Sequence, residues 1–350
     1  MTVSKNLACY VEGFQRANQA WPNQASVDPR LAWWQALPLS QGSTNYWPWL
    51  TAALPQLVLP QVNGISSSEI YRKMVLQGNE INSQSPIIDG KALRYPQVLR
   101  LWLADHPYCP SPVLATPDYD DFLWLVRALA HRAEPVRIEP GVHAQAINGL
   151  IHWGLIRSFG PKVRASIIIL HDAPYGSVPS DDLPINLDRQ GWINASANLR
   201  LEHELTHLAT KTVIGEMRLN LLDELIADTM GMLAALGSFK ALIFERCLLT
   251  RWHTYVGDLN KKDAKYALSL TLERAKEIEA ALVTWKGTAS LRPTLLQWLC
   301  QQRLDSPITT APLLPQQDIA IKSKPKNVPI TQNARKAFTT SEQHDFSPTV

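Results

Sequence analysis

Cysteine is scarce in this sequence. The four cysteines, Cys9, Cys109, Cys247 and Cys300, stand far apart, and no two form a Cys-x-x-Cys pair. This spacing excludes the disulfide framework of small secreted domains and a thiolate zinc ribbon. The chain also lacks a run of about 18 apolar residues, so we predict no membrane span. The first residues lack the apolar core of a secretory signal. We therefore expect a cytoplasmic protein from a reducing compartment.

Neither basic nor acidic residues are in large excess in this sequence. The 34 basic and 31 acidic residues leave a formal net charge of +3. This net charge is too small to indicate a nucleic-acid-binding surface, so we predict no nucleic-acid partner. Hydrophobic residues make up 45% of the 350 positions and charged residues 19%, an ordinary globular balance that excludes a fully disordered chain. No internal repeat and no glycine-rich phosphate loop is present.

The order of hydrophobic and breaker residues predicts three regions. Residues 1–140 form a helical N-terminal region rich in tryptophan and proline, with irregular chain and short helices over the first 60 residues. Residues 141–305 form a metal-binding domain, and residues 306–350 form a disordered tail rich in proline, serine, threonine, glutamine and lysine. We predict a strand at 163–170, a loop at 172–190, and helices at 66–77, 118–132, 143–158, 194–212, 217–236, 239–256, 262–286 and 293–303.

One short motif carries chemistry. His203, Glu204 and His207 form H-E-x-x-H within LEHELTHL. Residues four apart lie on one face of a helix, so both imidazoles can reach a single metal ion. Glu204 beside them can hold a water molecule on that metal. The leucines of the segment form a ridge roughly opposite the histidines, which lets the helix dock while both imidazoles point elsewhere.

A catalytic zinc needs a third protein ligand and an open position. Residues 223–228 read DELIAD within a strongly apolar, largely buried helix. Glu224 and Asp228 lie on one face of it, and buried carboxylates need a partner. Glu224 is the favoured ligand, with Asp228 backing an imidazole, while Asp223 and Asp228 remain alternative ligands. Small residues on this face (Ala227, Gly231 and Ala235) predict a close approach to the motif helix.

The two segments HELTH and ELIAD resemble the gluzincin group of zinc metallopeptidases, in which H-E-x-x-H is followed on a second helix by E-x-x-x-D. The E-x-x-A-D form is most similar to a membrane-linked branch, whose spans are absent here. The resemblance covers residues 160–235. It implies that His203, His207 and Glu224 bind one zinc ion, Glu204 is the general base, and Asp228 supports His203. It also implies an edge strand that aligns a peptide, for which 163–170 is the candidate.

Hydrolysis of an amide also needs a donor for the negative charge that develops on the carbonyl oxygen. The segment RWHTY offers Tyr255 and His253 as candidate catalytic residues, with Arg251 beside them. Tyr175 and His171 in the loop after the predicted strand are further candidates. None of them is singled out by spacing alone.

We therefore predict an α+β, mostly helical protein with a zincin-like metal site on two adjacent helices and a small sheet alongside. The favoured function is a zinc-dependent hydrolase that acts on a peptide or protein substrate. A non-haem Fe(II) oxygenase with the same two histidines and one carboxylate is a second hypothesis. A third is a non-catalytic protein in which a metal clamps two helices and the N-terminal region binds a partner.

Overall fold

The computed structural model describes residues 4–22, 31, 34, 46–79, 93–283 and 292–310. The α-helices in this part of the chain are α1 Lys5–Val11, α2 Trp47–Ala53, α3 Glu69–Tyr71, α4 Tyr119–Ala130, α5 Trp153–Phe159, α6 Arg189–Ile214, α7 Leu221–Leu236, α8 Ala241–Leu249, α9 Lys261–Ala281 and α10 Arg292–Cys300. Single turns of 3-10 helix include Tyr175–Ser177 and Trp252–Tyr255, and a π-helical turn, Arg72–Leu76, continues α3. The predicted mostly helical α+β class is confirmed.

Four strands form one small mixed sheet. They are β1 Arg100–Ala104, β2 Ser111–Thr116, β3 Ala144–Leu150 and β4 Ala165–His171, and their order across the sheet is β1-β2-β4-β3. β1 and β2 are antiparallel, β2 and β4 are parallel, and β3 runs antiparallel to β4. The predicted strand at 163–170 is therefore confirmed as β4, an interior strand of this sheet.

Burial on both faces explains the composition of β4. Ile168 and Leu170 belong to one apolar core, whereas Ile167 and Ile169 belong to another on the opposite face. This alternation follows from the two-residue period of a strand. Helix α4 packs on the second face of the sheet, and α6 contacts β3 and β4 on the first. The sheet thus lies between α4 and the helix that carries the H-E-x-x-H motif.

Two predictions at the sheet are wrong. Residues 143–158 do not form one helix: they form β3, then a break, then α5, whose first turn is capped by the side chain of His152. The strand at 163–170 is not at the edge, because β3 pairs with it and takes the outer position. Pairing with the strongly β-forming residues of β4 outweighs the local helical tendency of AQAINGL. Residues 66–77 are also less regular than a single helix.

The helices that carry the motif are confirmed, with α6 starting earlier than predicted. Asp188 caps its first turn by accepting a hydrogen bond from the backbone of Gly191, and Gly215 ends it in the left-handed conformation. Helix α7 packs against α6 at a close approach. A Cβ atom added at Gly231 would lie 2.7 Å from the carbonyl oxygen of Leu199, so only glycine fits there.

The N-terminal helix packs on the α6–α7 region. The guanidinium of Arg218, in the connection between these helices, donates to the backbone carbonyls of Cys9, Glu12 and Gly13 near the end of α1. The Tyr10 hydroxyl accepts from the backbone N–H of Leu221 at 3.0 Å and donates to a backbone carbonyl at 2.8 Å. Helix α1 is thereby attached to the first turn of α7.

The backbone of α1 also meets the far end of the described chain, where the N–H of Leu304 donates to the Val11 carbonyl at 3.0 Å. The sheet takes strands from both sides of residue 140, and the predicted domain boundaries stay predictions. Most of the predicted tail, residues 311–350, lies outside the described residues. Among those that are described, no helix is both long and apolar enough to cross a bilayer.

Candidate metal centre

Helix α6 presents both imidazoles of the motif to one point. His203 and His207 are one turn apart on the same face, and both side chains are buried. Their Nε2 atoms lie 3.1 Å apart, while their Nδ1 atoms point away from each other toward α7. Both rings therefore present the same nitrogen, Nε2, to the space between them.

Helix α7 adds a carboxylate to this pair. Glu224 lies in its first turn, and its oxygens are 3.6 Å from His203 Nε2 and 3.3 Å from His207 Nε2. One ligand atom from each of the three residues lies within 4.8 Å of the other two. A tetrahedral zinc with bonds of about 2.0–2.1 Å separates its ligands by about 3.3 Å. The observed spacing of the three donors fits an ion of this size.

Each imidazole is backed by its own carboxylate on α7. Asp228 lies 2.7 Å from His203 Nδ1, and Asp223 lies 3.2 Å from His207 Nδ1. A carboxylate at Nδ1 keeps the proton on that nitrogen and leaves the lone pair on Nε2. Asp223 is fixed in turn by the backbone N–H groups of Arg218 and Leu219. Both rings are therefore held in the tautomer that binds a metal through Nε2.

Tyr175 and Arg251 complete the buried surroundings of the site. The Tyr175 hydroxyl donates to Asp228, accepts from Arg251 Nη2 at 2.8 Å and lies 3.1 Å from His203 Nδ1. Burial raises the pKa of Tyr175 far above its usual range, so the hydroxyl keeps its proton. Arg251 Nη2 also lies 3.6 Å from both Glu224 and Asp228. A single guanidinium thus faces two of the buried carboxylates.

The charges at this centre do not balance among the side chains. Three buried carboxylates, Asp223, Glu224 and Asp228, lie at the centre, and the guanidinium of Arg251 faces two of them, Glu224 and Asp228. One positive charge against three negative charges leaves two negative charges when the imidazoles are neutral. Buried charge without a counterion is costly. Glu224 Oε2 and Asp228 Oδ2 are buried and accept no hydrogen bond in the described structure. A divalent cation would neutralise the group and supply the missing partner of Glu224.

The pKa shifts have the same electrostatic origin. Burial alone would raise the pKa of Glu224, but the neighbouring histidines and Arg251 lower it to about 2. Burial alone would lower the pKa of His207, but Asp223 and Glu224 raise it well above its usual range. The centre therefore attracts positive charge strongly, either as protons or as a metal ion.

Glu204 stands apart from this buried set. It is half-buried on α6, and its Oε2 accepts a hydrogen bond from the backbone N–H of Ala146 in β3 at 2.9 Å. Its other oxygen makes no hydrogen bond to another described residue. The side chain of the residue predicted from the sequence as general base thus contacts the outer strand of the sheet.

The structure brings Tyr255 to the centre but not His253. The Tyr255 hydroxyl accepts from Arg251 Nη1 at 3.0 Å, and its pKa is raised by burial and by Glu224. His253 is exposed on the same turn, and no hydrogen bond in the described structure joins it to the site. His171 lies elsewhere, paired with His143 at 2.9 Å between their Nδ1 atoms. The contacts of Asp223 and Ala146 were not predicted, because neither residue has a distinctive spacing.

Fold and site together define a mostly helical α+β protein with a candidate metal centre on two adjacent helices. The chain belongs to a family described as a family of unknown function (DUF7005), whose pattern matches residues 2–166 and 161–255. The matched ranges include every residue of the centre. No curated protein and no solved structure matches the chain.

Proposed function

We propose that the protein is a zinc-dependent hydrolase of the gluzincin type, with a peptide bond as its target. The observation that carries this proposal is the convergence of His203 Nε2, His207 Nε2 and the Glu224 carboxylate, with Glu204 next to His203 in the same helix. His203, His207 and Glu224 would hold one zinc ion. Asp228 and Asp223 would fix the two imidazoles in the binding tautomer.

A bound zinc ion polarises a carbonyl and lowers the pKa of a water molecule. Glu204 supplies the proton transfers: it takes a proton from water as the nucleophile forms and delivers it to the leaving amine. Its half-buried position admits water, whereas the ligands are almost fully buried. Arg251 and Tyr255, hydrogen-bonded to each other beside Glu224, are the candidate donors to the developing oxyanion.

The outer edge of β3 is the proposed place for the peptide. β3 ends the sheet, so its outward backbone groups have no partner strand among the described residues. Glu204 touches this strand directly, at Ala146. An extended peptide that lies along β3 therefore passes beside Glu204. The resemblance to gluzincins implies this aligning role for residues 163–170, which form the interior strand β4 instead.

The first test is metal content. Zinc-supplemented wild type should contain one zinc per chain, and His203→Ala should contain none, because two remaining ligands hold zinc weakly. His253→Ala is the matched control, since it removes an exposed imidazole outside the centre and should keep its zinc. Unchanged zinc in His203→Ala would place the metal elsewhere. Bound iron together with oxygen uptake would favour the oxygenase instead.

The second test separates binding from chemistry. Glu204→Gln should keep one zinc per chain but lose hydrolysis of an unfolded protein such as β-casein by at least about 100-fold, because glutamine cannot carry the proton. Glu139→Gln, an exposed glutamate, should behave as wild type. Full activity of Glu204→Gln would refute the mechanism. A zinc-loaded wild type that hydrolyses nothing would favour a metal that only clamps two helices.

A further inference from the structure

The strand beside Glu204 presents its backbone in a defined direction. The carbonyl of His143 accepts from the N–H of His171 at 2.9 Å, so residue 143 directs its backbone groups toward β4. Backbone direction alternates along a strand, and therefore Gln145 and Ile147 also face β4 while Ala146 faces outward. The outward N–H of Ala146 is the group that meets Glu204 Oε2 at 2.9 Å.

This contact has the properties of a positioning bond. A carboxylate that accepts from a backbone N–H makes a charge-assisted hydrogen bond, and a strand backbone has little freedom to move. One oxygen of Glu204 is thereby fixed to the sheet, while the other remains available to water. Without the bond, a half-exposed glutamate on a helix samples several rotamers. Holding a general base in one of them favours the reactive geometry.

We propose that the backbone N–H of Ala146 is a positioning group for Glu204, an inference that rests on the proposed hydrolase function. The sheet then does more than support the motif helix, because its outer strand fixes the orientation of the base. Because the N–H of Ala146 is already bonded to Glu204, it is not free to pair with an added strand. A peptide on β3 therefore pairs with other residues whose backbone faces outward, such as Ala144.

Amide hydrogen exchange tests the contact without reference to activity. An outward N–H at a sheet edge exchanges quickly unless it has an acceptor. In zinc-loaded wild type, the Ala146 amide should therefore be protected, and in Glu204→Ala its exchange should be at least about 10-fold faster. The Ile147 amide, which faces β4, is the internal control and should not change. Equal exchange of Ala146 in both proteins would overturn the inference.

Proline substitution tests the role of the contact. Ala146→Pro removes the N–H, and an outward position at an edge strand tolerates proline. We expect the zinc content to be unchanged, kcat on β-casein to fall about 10-fold, and KM to stay within about twofold. Ala146→Gly keeps the N–H and should retain wild-type kcat.

The outcomes separate this inference from the function beneath it. If wild type hydrolyses casein and folded, zinc-loaded Ala146→Pro does so equally well, the positioning role is wrong and the hydrolase stands. If zinc-loaded wild type has no hydrolytic activity, the proposed function is wrong. If Ala146→Pro does not fold, the exchange of the Ala146 amide in Glu204→Ala still decides whether the contact exists.

Discussion

Replacing Asp228 by asparagine probes the electrostatics of the metal centre. Asp228 Oδ1 lies 2.7 Å from His203 Nδ1 and also accepts from Tyr175, while its Oδ2 lies 3.6 Å from Arg251. Asparagine keeps the size and one acceptor oxygen but removes the charge that makes His203 a strong ligand. Loss of such an outer partner typically weakens metal binding 10–100-fold, or about 1.4–2.8 kcal/mol.

The assay is competition for zinc with a chromophoric chelator, which gives the Kd directly. Asp223→Asn should also weaken zinc binding, because Asp223 supports the ligand His207. Asp263→Asn is the control: it alters an exposed hydrogen bond with Asn260 and should leave the zinc Kd unchanged. In the metal-free state, Asp228→Asn also removes one of two excess negative charges. Its free energy of unfolding should therefore fall less without zinc than with it. A zinc Kd within twofold of wild type would refute the charge argument.

Two further predictions concern the fold. Gly231→Ala should lower the free energy of unfolding in urea by about 1–3 kcal/mol, because the added Cβ would lie 2.7 Å from the Leu199 carbonyl oxygen. Gly149→Ala is the control, since a Cβ atom there meets no atom within 4 Å. Equal urea midpoints for the two variants would contradict this close helix packing. Burial lowers the pKa of His152 to about 4, below its value of about 6.5 in the unfolded chain. Protonation therefore favours the unfolded state as the pH falls, and the free energy of unfolding should drop by about 2 kcal/mol between pH 7 and pH 5. His152→Asn keeps an acceptor for the Leu155 N–H and should lose less stability between pH 7 and pH 5; the same loss as wild type would contradict the assignment.

The parts of the site that follow helical spacing were accessible from the sequence. His203 and His207 are four residues apart, so any helix brings them together. Glu224 was favoured because a carboxylate in a strongly apolar helix needs a partner, and the structure places it at both imidazoles. The close approach of the two helices was also accessible, because Gly231 has no side chain to hold them apart.

The contacts that depend on pairing between distant segments were not accessible. Asp223 supports His207 across 16 residues, and no local rule distinguishes it from its neighbours. The Ala146 contact uses a backbone atom, which carries no residue signature. Residues 111–116 include Pro112, which argues against a strand, yet the segment is fully buried as β2. The helix predicted at 143–158 was wrong because the neighbour β4, and not local propensity, determines that β3 is extended.

The position of the first helix has a consequence for synthesis. Tyr10 bonds to Leu221, and the carbonyl of Val11 bonds to Leu304, so the partners of α1 lie more than 200 residues later in the chain. Because a ribosome releases the N-terminus first, this helix leaves the exit tunnel long before anything that it binds has been made. Its apolar face, with Leu7 and Val11, stays exposed during that interval. The helix is thus made well before its partners and can complete its packing only after they have been made.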